Sequence, residues 1–304
     1  MSTSEMRLLI VSGLSGSGKS VALHVLEDLG FYCIDNLPAG LLRAAVLDIT
    51  TGNSPKSRNL ALGIDARNKP QDLEALPDII GQFRQQNIQV DVIFLQADDE
   101  VILKRYSETR RRHPLAELNE ELAGAVRKER ELLHAVINMA DLIVDSSRTS
   151  IYELADIIRE RVDRRGSGTL SLQIESFGFK NGIPSDADFV FDLRSLPNPY
   201  WTLELRGLTG LDAEVSEFLE AEELFVTMHD DILAFLSRWI PVYKEKHRGY
   251  LTVALGCTGG QHRSVYMAEK LSASLRPLHN DLVTRHNEIM RGTVKTSATG
   301  APKQ

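Results

Sequence analysis

The feature that most narrows what this chain can fold into lies near its start. An apolar run, RLLIVSG (7–13), leads without a break into GLSGSGKS (13–20) and then into a segment of helical period. In that segment Ala22, Val25, Leu26 and Leu29 recur at i, i+3, i+4 and i+7, and Gly30 stands where a helix would end. Residues 13–20 fit G-x-x-x-x-G-K-[ST], with Gly13, Gly18, Lys19 and Ser20 in the fixed positions. Glycines let the backbone curl so that successive N–H groups face phosphate oxygens, and the helix N-terminus behind them adds a favourable dipole. The stretch Gly13, Leu14, Ser15, Gly16, Ser17, Gly18, Lys19, Ser20 is therefore expected to cradle a nucleoside triphosphate. Lys19 is expected to reach the β- and γ-phosphates as a catalytic residue, and Ser20 to ligate Mg²⁺.

The rest of the first half keeps that alternation. FYCIDN (31–36), NLALGID (59–65), VDVIFLQ (90–96) and ADLIVD (140–145) are strand-like, with helical segments between most of them. The pattern predicts an α/β fold: an N-terminal P-loop NTPase domain with a kinase-like parallel sheet, helices on both faces, over residues 1–165. TSIYELADIIRERV (149–162) closes it as a helix opened by a threonine cap, and DRRGSG (163–168) reads as a boundary. A second α/β domain is expected over 169–289. Its strands are TLSLQIESFG (169–178), ADFVFDLRS (187–195) and YLTVALG (250–256), with helix over most of 213–246 and again after 263. Residues 290–304 turn polar and are expected to form a disordered tail.

Composition removes several classes. A chain of 304 residues accommodates two domains, and 42% hydrophobic with 25% charged residues is the balance of a folded globular protein. No apolar run approaches the ~20 residues of a membrane helix, and the N-terminus lacks the layout of a signal peptide. Two cysteines far apart, Cys33 and Cys257, form no disulfide framework and point to a reducing, cytoplasmic setting. A net charge of −7 means that any nucleic-acid partner would need a local basic patch.

A Mg²⁺-nucleotide calls for a carboxylate at a strand end, and two aspartates qualify, Asp35 in YCID and Asp65 in LALGID. Asp65 is preferred as a catalytic and metal-site residue, because Asp65, Ala66, Arg67 and Asn68 offer a carboxylate, a guanidinium and an amide together. The basic stretch KRYSETRRRHP (104–114) reads either as a lid over the phosphates or as a solvated helix face.

A second loop, GCTGGQHRS (256–264), also follows a strand and precedes a helix. Small residues again let amides face an anion, and Arg263 offers a bidentate fork. The C-x₅-R spacing from Cys257 to Arg263 is that of phosphotyrosine phosphatases, in which the cysteine is the nucleophile. Those enzymes usually carry histidine before the cysteine, where this chain has Gly256. Anion binding, phosphatase chemistry and a structural turn are the readings of this loop. Asp192, Arg194 and Tyr200 are further candidates for its pocket, or for ion-paired and core roles.

Taken in order, GLSGSGKS, FYCIDNLPAGLL, GIDARN, ESFGFKNGIPSDADFVFDLRSLPNPYW, LTGLD and VALGCTGGQHRSVYMAEKL resemble the RapZ/YvcJ family of bacterial nucleotide-binding proteins. The resemblance implies ATP and GTP binding with modest hydrolysis, residues 13–20 holding ATP and Asp65–Asn68 serving as the guanine-nucleotide motif. In the RNase-adapter branch it implies a phosphosugar site for glucosamine-6-phosphate, carried over to Thr258, Gly259, Gly260, His262 and Arg263 with Asp192 and Arg194 nearby. It also implies homo-oligomers, and a basic C-terminal end that binds small RNA in concert with an RNase. This chain departs from that branch at Tyr200, where histidine is expected. Its residues 281–304 carry Arg285, Arg291, Lys295 and Lys303 against Asp281 and Glu288, a surplus of only two. A regulatory nucleotide-binding hydrolase, a small-molecule kinase and an RNA-binding adapter are the functional classes that follow.

Overall fold

The computed structural model describes residues 6–51, 59–86, 88–109, 112–116, 121–163, 170–246 and 248–289. The chain divides into two compact units, Met1–Gly168 and Thr169–Gln304. The boundary segment and the C-terminal tail expected from the sequence lie largely outside the described residues.

Unit 1 runs β1 (Arg7–Gly13), α1 (Lys19–Asp28), β2 (Tyr32–Ile34), α2 (Leu42–Thr51), β3 (Asn59–Gly63), α3 (Pro70–Glu74) and α4 (Leu76–Gln85). It continues with β4 (Gln89–Gln96), α5 (Asp99–Thr109), α6 (Leu122–Leu132), α7 (His134–Asn138), β5 (Leu142–Asp145) and α8 (Ile151–Asp163). Its five strands are parallel in the order β2-β3-β1-β4-β5. Residues 8–13 of β1 and 90–95 of β4 are buried without alternation. Side chains on both faces of these central strands are thus covered, the signature of a parallel sheet flanked by helices.

Unit 2 has β6 (Ser171–Gly178), β7 (Phe189–Asp192), α9 (Ala213–Glu220), α10 (Glu223–Glu245), β8 (Tyr250–Cys257), α11 (Arg263–Leu275) and β9 (Val283–His286). These four strands are also parallel, in the order β7-β8-β6-β9. The buried stripe of α10, Phe225, His229, Ile232, Leu236 and Ile240, keeps helical spacing, and its apolar members join the core of this unit. Among the described residues no helix is long and apolar enough to cross a membrane.

Helix ends follow their sequences closely. After α1, Gly30 adopts φ +86°, its N–H reaches Glu27 O at 2.9 Å, and Phe31 N–H reaches Leu26 O at 2.9 Å. That pair of bonds is a Schellman stop, which a residue with a Cβ would strain. At α8 the cap is Ser150 rather than Thr149: Glu153 N–H donates to Ser150 Oγ at 3.2 Å, and Ser150 N–H to the Glu153 carboxylate at 2.7 Å. Thr149 Oγ1 turns back to Ser146 O instead. A glutamate three residues after Ser150 lets two orphan donors be satisfied reciprocally, which is what selects it over its neighbour.

The strand β9 departs from expectation, since residues from 281 onward read as a loose basic end. VTRH is too short and polar to announce a strand, yet it pairs along β6. Arg285, counted in the basic surplus, is buried there and its charge acts on the Glu175 carboxyl. Burial, followed by the charge of Asp186, pushes that carboxyl up to about 8.

Replacing Ser150 by alanine removes one half of the capping box and should destabilise the protein by about 1 kcal/mol in urea denaturation. Thr149→Ala should change stability by less than half of that.

Candidate functional site

The first loop leaves β1 at the edge where all five strands of unit 1 end. Gly13, Gly16 and Gly18 have φ of +151°, +89° and +106°. A Cβ at Gly13 would lie 2.3 Å from Leu95 O, and one at Gly18 would lie 2.4 Å from Leu154 Cδ2, so close approach as well as backbone angle demands glycine. Leu14 is core, and its N–H is held by Leu95 O at 3.0 Å. Ser17 is buried, with its N–H on Leu14 O. Helix α1 then opens behind Gly18 with no side-chain cap on its N–H groups, and Ser20 is exposed in its first turn. Uncapped amides at such a terminus are the donors an oxyanion takes up.

Lys19 reaches over this loop to carboxylates. Its Nζ lies 3.0 Å from Asp65 Oδ2 and 3.2 Å from Asp35 Oδ1. Both aspartates proposed from sequence therefore meet at Lys19. Asp65 is buried, and Arg67 Nε donates to both of its oxygens at 3.1 Å. Burial alone would raise the Asp65 carboxyl, but the Arg67 hydrogen bonds and the Lys19 charge override it and hold the group at about 2. Arg67 Nη2 also donates to Asn36 Oδ1, and Asn36 sits at φ +54°. Ala66 is buried. Asn68 is committed to the backbone: its Nδ2 donates to Asp65 O at 2.9 Å and its Oδ1 accepts from Ala39 N–H. Asp65 and Asp35 supply hard carboxylate oxygens, the donor type that suits Mg²⁺, here paired with Lys19.

Three side chains flank the loop: Glu129, which the sequence reading missed, and His113 and Arg105, which it read only as part of the basic stretch 104–114. The Glu129 carboxylate accepts from Ser15 N–H at 2.8 Å and Ser15 Oγ at 2.6 Å, and lies 3.2 Å from His113 Nε2. Glu129 and His113 are both essentially inaccessible to solvent. Arg105 ties the other flank: its Nη1 reaches Gly16 O at 2.9 Å and Ser146 Oγ at 3.0 Å, and its Nη2 reaches Ser146 O at 2.6 Å. The basic stretch is thus divided in role. Arg105 braces the phosphate loop, Arg112 bonds Ala116 O, and Arg110 and Arg111 lie outside the described residues.

In unit 2 the second loop joins β8 to α11. Cys257 is buried; its Sγ accepts from Gly260 N–H at 3.2 Å and shares a hydrogen bond with Ser264 Oγ at 3.2 Å. Burial would raise this thiol, but the bonds from Ser264 and Gly260, helped by the Arg263 charge, pull it below its ordinary value. Cys33 behaves oppositely, pushed up to about 11 by burial and by Glu27. Gly260 has φ +70°, and a Cβ there would lie 2.4 Å from Glu288 Cγ and 2.6 Å from Gly178 N. Gly259 faces open space, and Thr258 is exposed beside it.

Arg263 differs from the free fork expected of it. The guanidinium is buried and its Nη1 donates to Arg194 O at 2.9 Å, Leu196 O at 2.8 Å and Leu193 O at 3.4 Å. It staples the loop after β7 to the loop after β8, and its Nη2 lies 3.5 Å from Thr258 Oγ1. His262 is likewise turned inward, Nε2 on Leu205 O at 3.2 Å, and burial pushes its ring below the ordinary imidazole value. Asp192 and Arg194 pair with each other through Nε at 2.9 and 3.0 Å, with Arg194 stacked 3.9 Å over the Phe179 ring. Tyr200 packs on Trp201 and under Arg206 in its own turn.

The chain matches the RapZ-like N-terminal domain over residues 6–166 and the RapZ C-terminal domain over 170–290. It is 49% identical over 285 residues to a nucleotide-binding protein of Thioalkalivibrio sulfidiphilus, covering 93% of this chain and all of that one. It is 50% identical over 286 residues to a nucleotide-binding protein of Halorhodospira halophila, covering 94% and 99%.

Glu129→Ala leaves Ser15 and His113 without their buried acceptor and should cost about 3 kcal/mol by urea denaturation. Titrating thiolate absorbance in the folded protein should resolve two steps, Cys257 ionising on the low side of an ordinary thiol and Cys33 well above it. Cys257→Ser should remove only the lower step.

Proposed function

The chain belongs to the RapZ family through both of its units, and on that premise we propose that it is a nucleotide-binding regulatory protein which hydrolyses ATP and GTP slowly and senses a phosphorylated metabolite. The observation that carries the nucleotide half is Lys19 poised on Asp65 above an uncapped helix N-terminus. Those parts supply amides and an ammonium for the phosphates, and a carboxylate with the Ser20 hydroxyl to hold Mg²⁺. When bound, the metal would neutralise charge on the β- and γ-oxygens; Lys19 and the loop amides orient the phosphate tail, and Asp65 keeps Lys19 in place. Tight coupling of Glu129 to Ser15 keeps that part of the loop shaped without a ligand.

In the second unit, Thr258 and Gly259 lie open beside the helix N-terminus, which supports a sugar phosphate such as glucosamine-6-phosphate as ligand. Arg263 and His262 would act there by shaping the loop, since both side chains are anchored to carbonyl groups. A buried cysteine with a lowered thiol favours the phosphatase reading only in part, because Nη1 of the arginine that should grip the phosphate is committed to carbonyl groups, leaving only its Nε and Nη2 edge. Assembly into homo-oligomers and adapter binding of small RNA and an RNase belong to the same proposal through the family alone.

Calorimetric titration of the full chain with Mg²⁺-ATP and Mg²⁺-GTP should give binding that Lys19→Ala weakens by at least about 100-fold. Unchanged binding in that variant would overturn the nucleotide reading.

A further inference from the structure

The tetrapeptide Asp65–Asn68 carries the chemistry of a guanine reader: a carboxylate for the N1–H and N2–H donors of the base, and an amide for its O6. We infer that it does not read the base but works at the phosphate end of the nucleotide, so that ATP and GTP compete for one site. This rests on the nucleotide reading above.

Three observations carry it. The first is the position of the backbone. Residue 65 lies two residues past the end of β3, β3 lies beside β1, Ile64 N–H bonds Val11 O at 3.0 Å, and the phosphate loop begins two residues after Val11. The motif is therefore pinned to the root of the loop. The second is the Asp65 carboxylate, 3.0 Å from the Lys19 ammonium. That lysine grips the β- and γ-phosphates, and the α-phosphate and ribose separate those from the base. A carboxylate in contact with Lys19 is thus well outside hydrogen-bond reach of a guanine edge in the same nucleotide.

The third is Asn68, whose amide has both ends on the main chain, Asp65 O on one side and Ala39 N–H on the other. It locks the turn, and releasing it for a base would take from the Ala39 N–H the acceptor it has here. Arg67 is the half-exposed member, paired to Asp65 and Asn36 next to Lys19. Its charge is placed to meet the phosphate tail, whichever base lies at the other end. Asp65, Arg67 and Asn68 are therefore positioning residues for Lys19 and the terminal phosphate, indifferent to adenine or guanine.

The full-length protein decides this with a fluorescent GTP analogue, competed with ATP, GTP and xanthosine triphosphate. ATP should displace the analogue completely from the wild-type chain. Arg67→Ala and Asp65→Asn should weaken ATP and GTP by the same factor, to within about twofold. If Asp65 read guanine, Asp65→Asn would lose GTP and gain xanthosine triphosphate, which carries an acceptor where guanine has its N2 donor. That exchange of preference, a selective loss of GTP in Arg67→Ala, or ATP failing to displace the analogue would each overturn the inference. Absence of binding by any nucleotide to the wild type would instead remove the nucleotide reading on which it stands. The wild-type competition holds even where a variant fails to fold.

Discussion

Parallel strands all end at one edge, and every helix that follows a strand begins there. In both units this places backbone N–H groups at that edge with little main chain to satisfy them, and an anion is the partner that fits. Everything described around the two loops is an elaboration of that surplus of donors. Glycines at 13, 16 and 18 let the first loop curl without collision, and Gly260 does the same in the second. Side chains then fix the shape of each loop: Glu129 and Arg105 from outside it in unit 1, Arg263 and Ser264 from its own C-terminal end in unit 2.

The two loops share a plan but differ in what supports them. Around residues 13–20 the supporting groups are a carboxylate on one flank and a guanidinium on the other, both reaching main-chain groups of the loop itself. Around 257–263 the guanidinium comes from within the loop and grips its neighbour, so the loops after β7 and β8 are fixed to each other. Displacing either one would break bonds from a buried arginine, which is costly when nothing replaces them.

What could be read from the sequence is what local chemistry encodes. The strand before the first loop, the helix after it and the glycine that stops that helix all carry short-range signals, and the structure has them at Arg7–Gly13, Lys19–Asp28 and Gly30. Glu129 was illegible because it lies in KEREL, a charged run whose obvious reading is a solvated face, and only the tertiary fold buries it. His113 hid among arginines for the same reason. The edge strand at 283–286 has four residues, three of them polar, too little pattern to separate from a polar terminus. Asn68 illustrates a further limit: a sequence shows which groups are present, but not whether the backbone has already claimed them.

The charges that touch the first loop add one consequence. Lys19 and Arg67 are answered by Asp35 and Asp65, and Arg105 and Glu129 add one charge of each sign against the loop backbone, so the six charges in these contacts of the cradle cancel. A polyphosphate entering it finds directed donors but no net positive field to neutralise it. On the nucleotide reading proposed above, counter-charge would travel in with the ligand, and a divalent cation on the phosphates would then serve entry as much as chemistry.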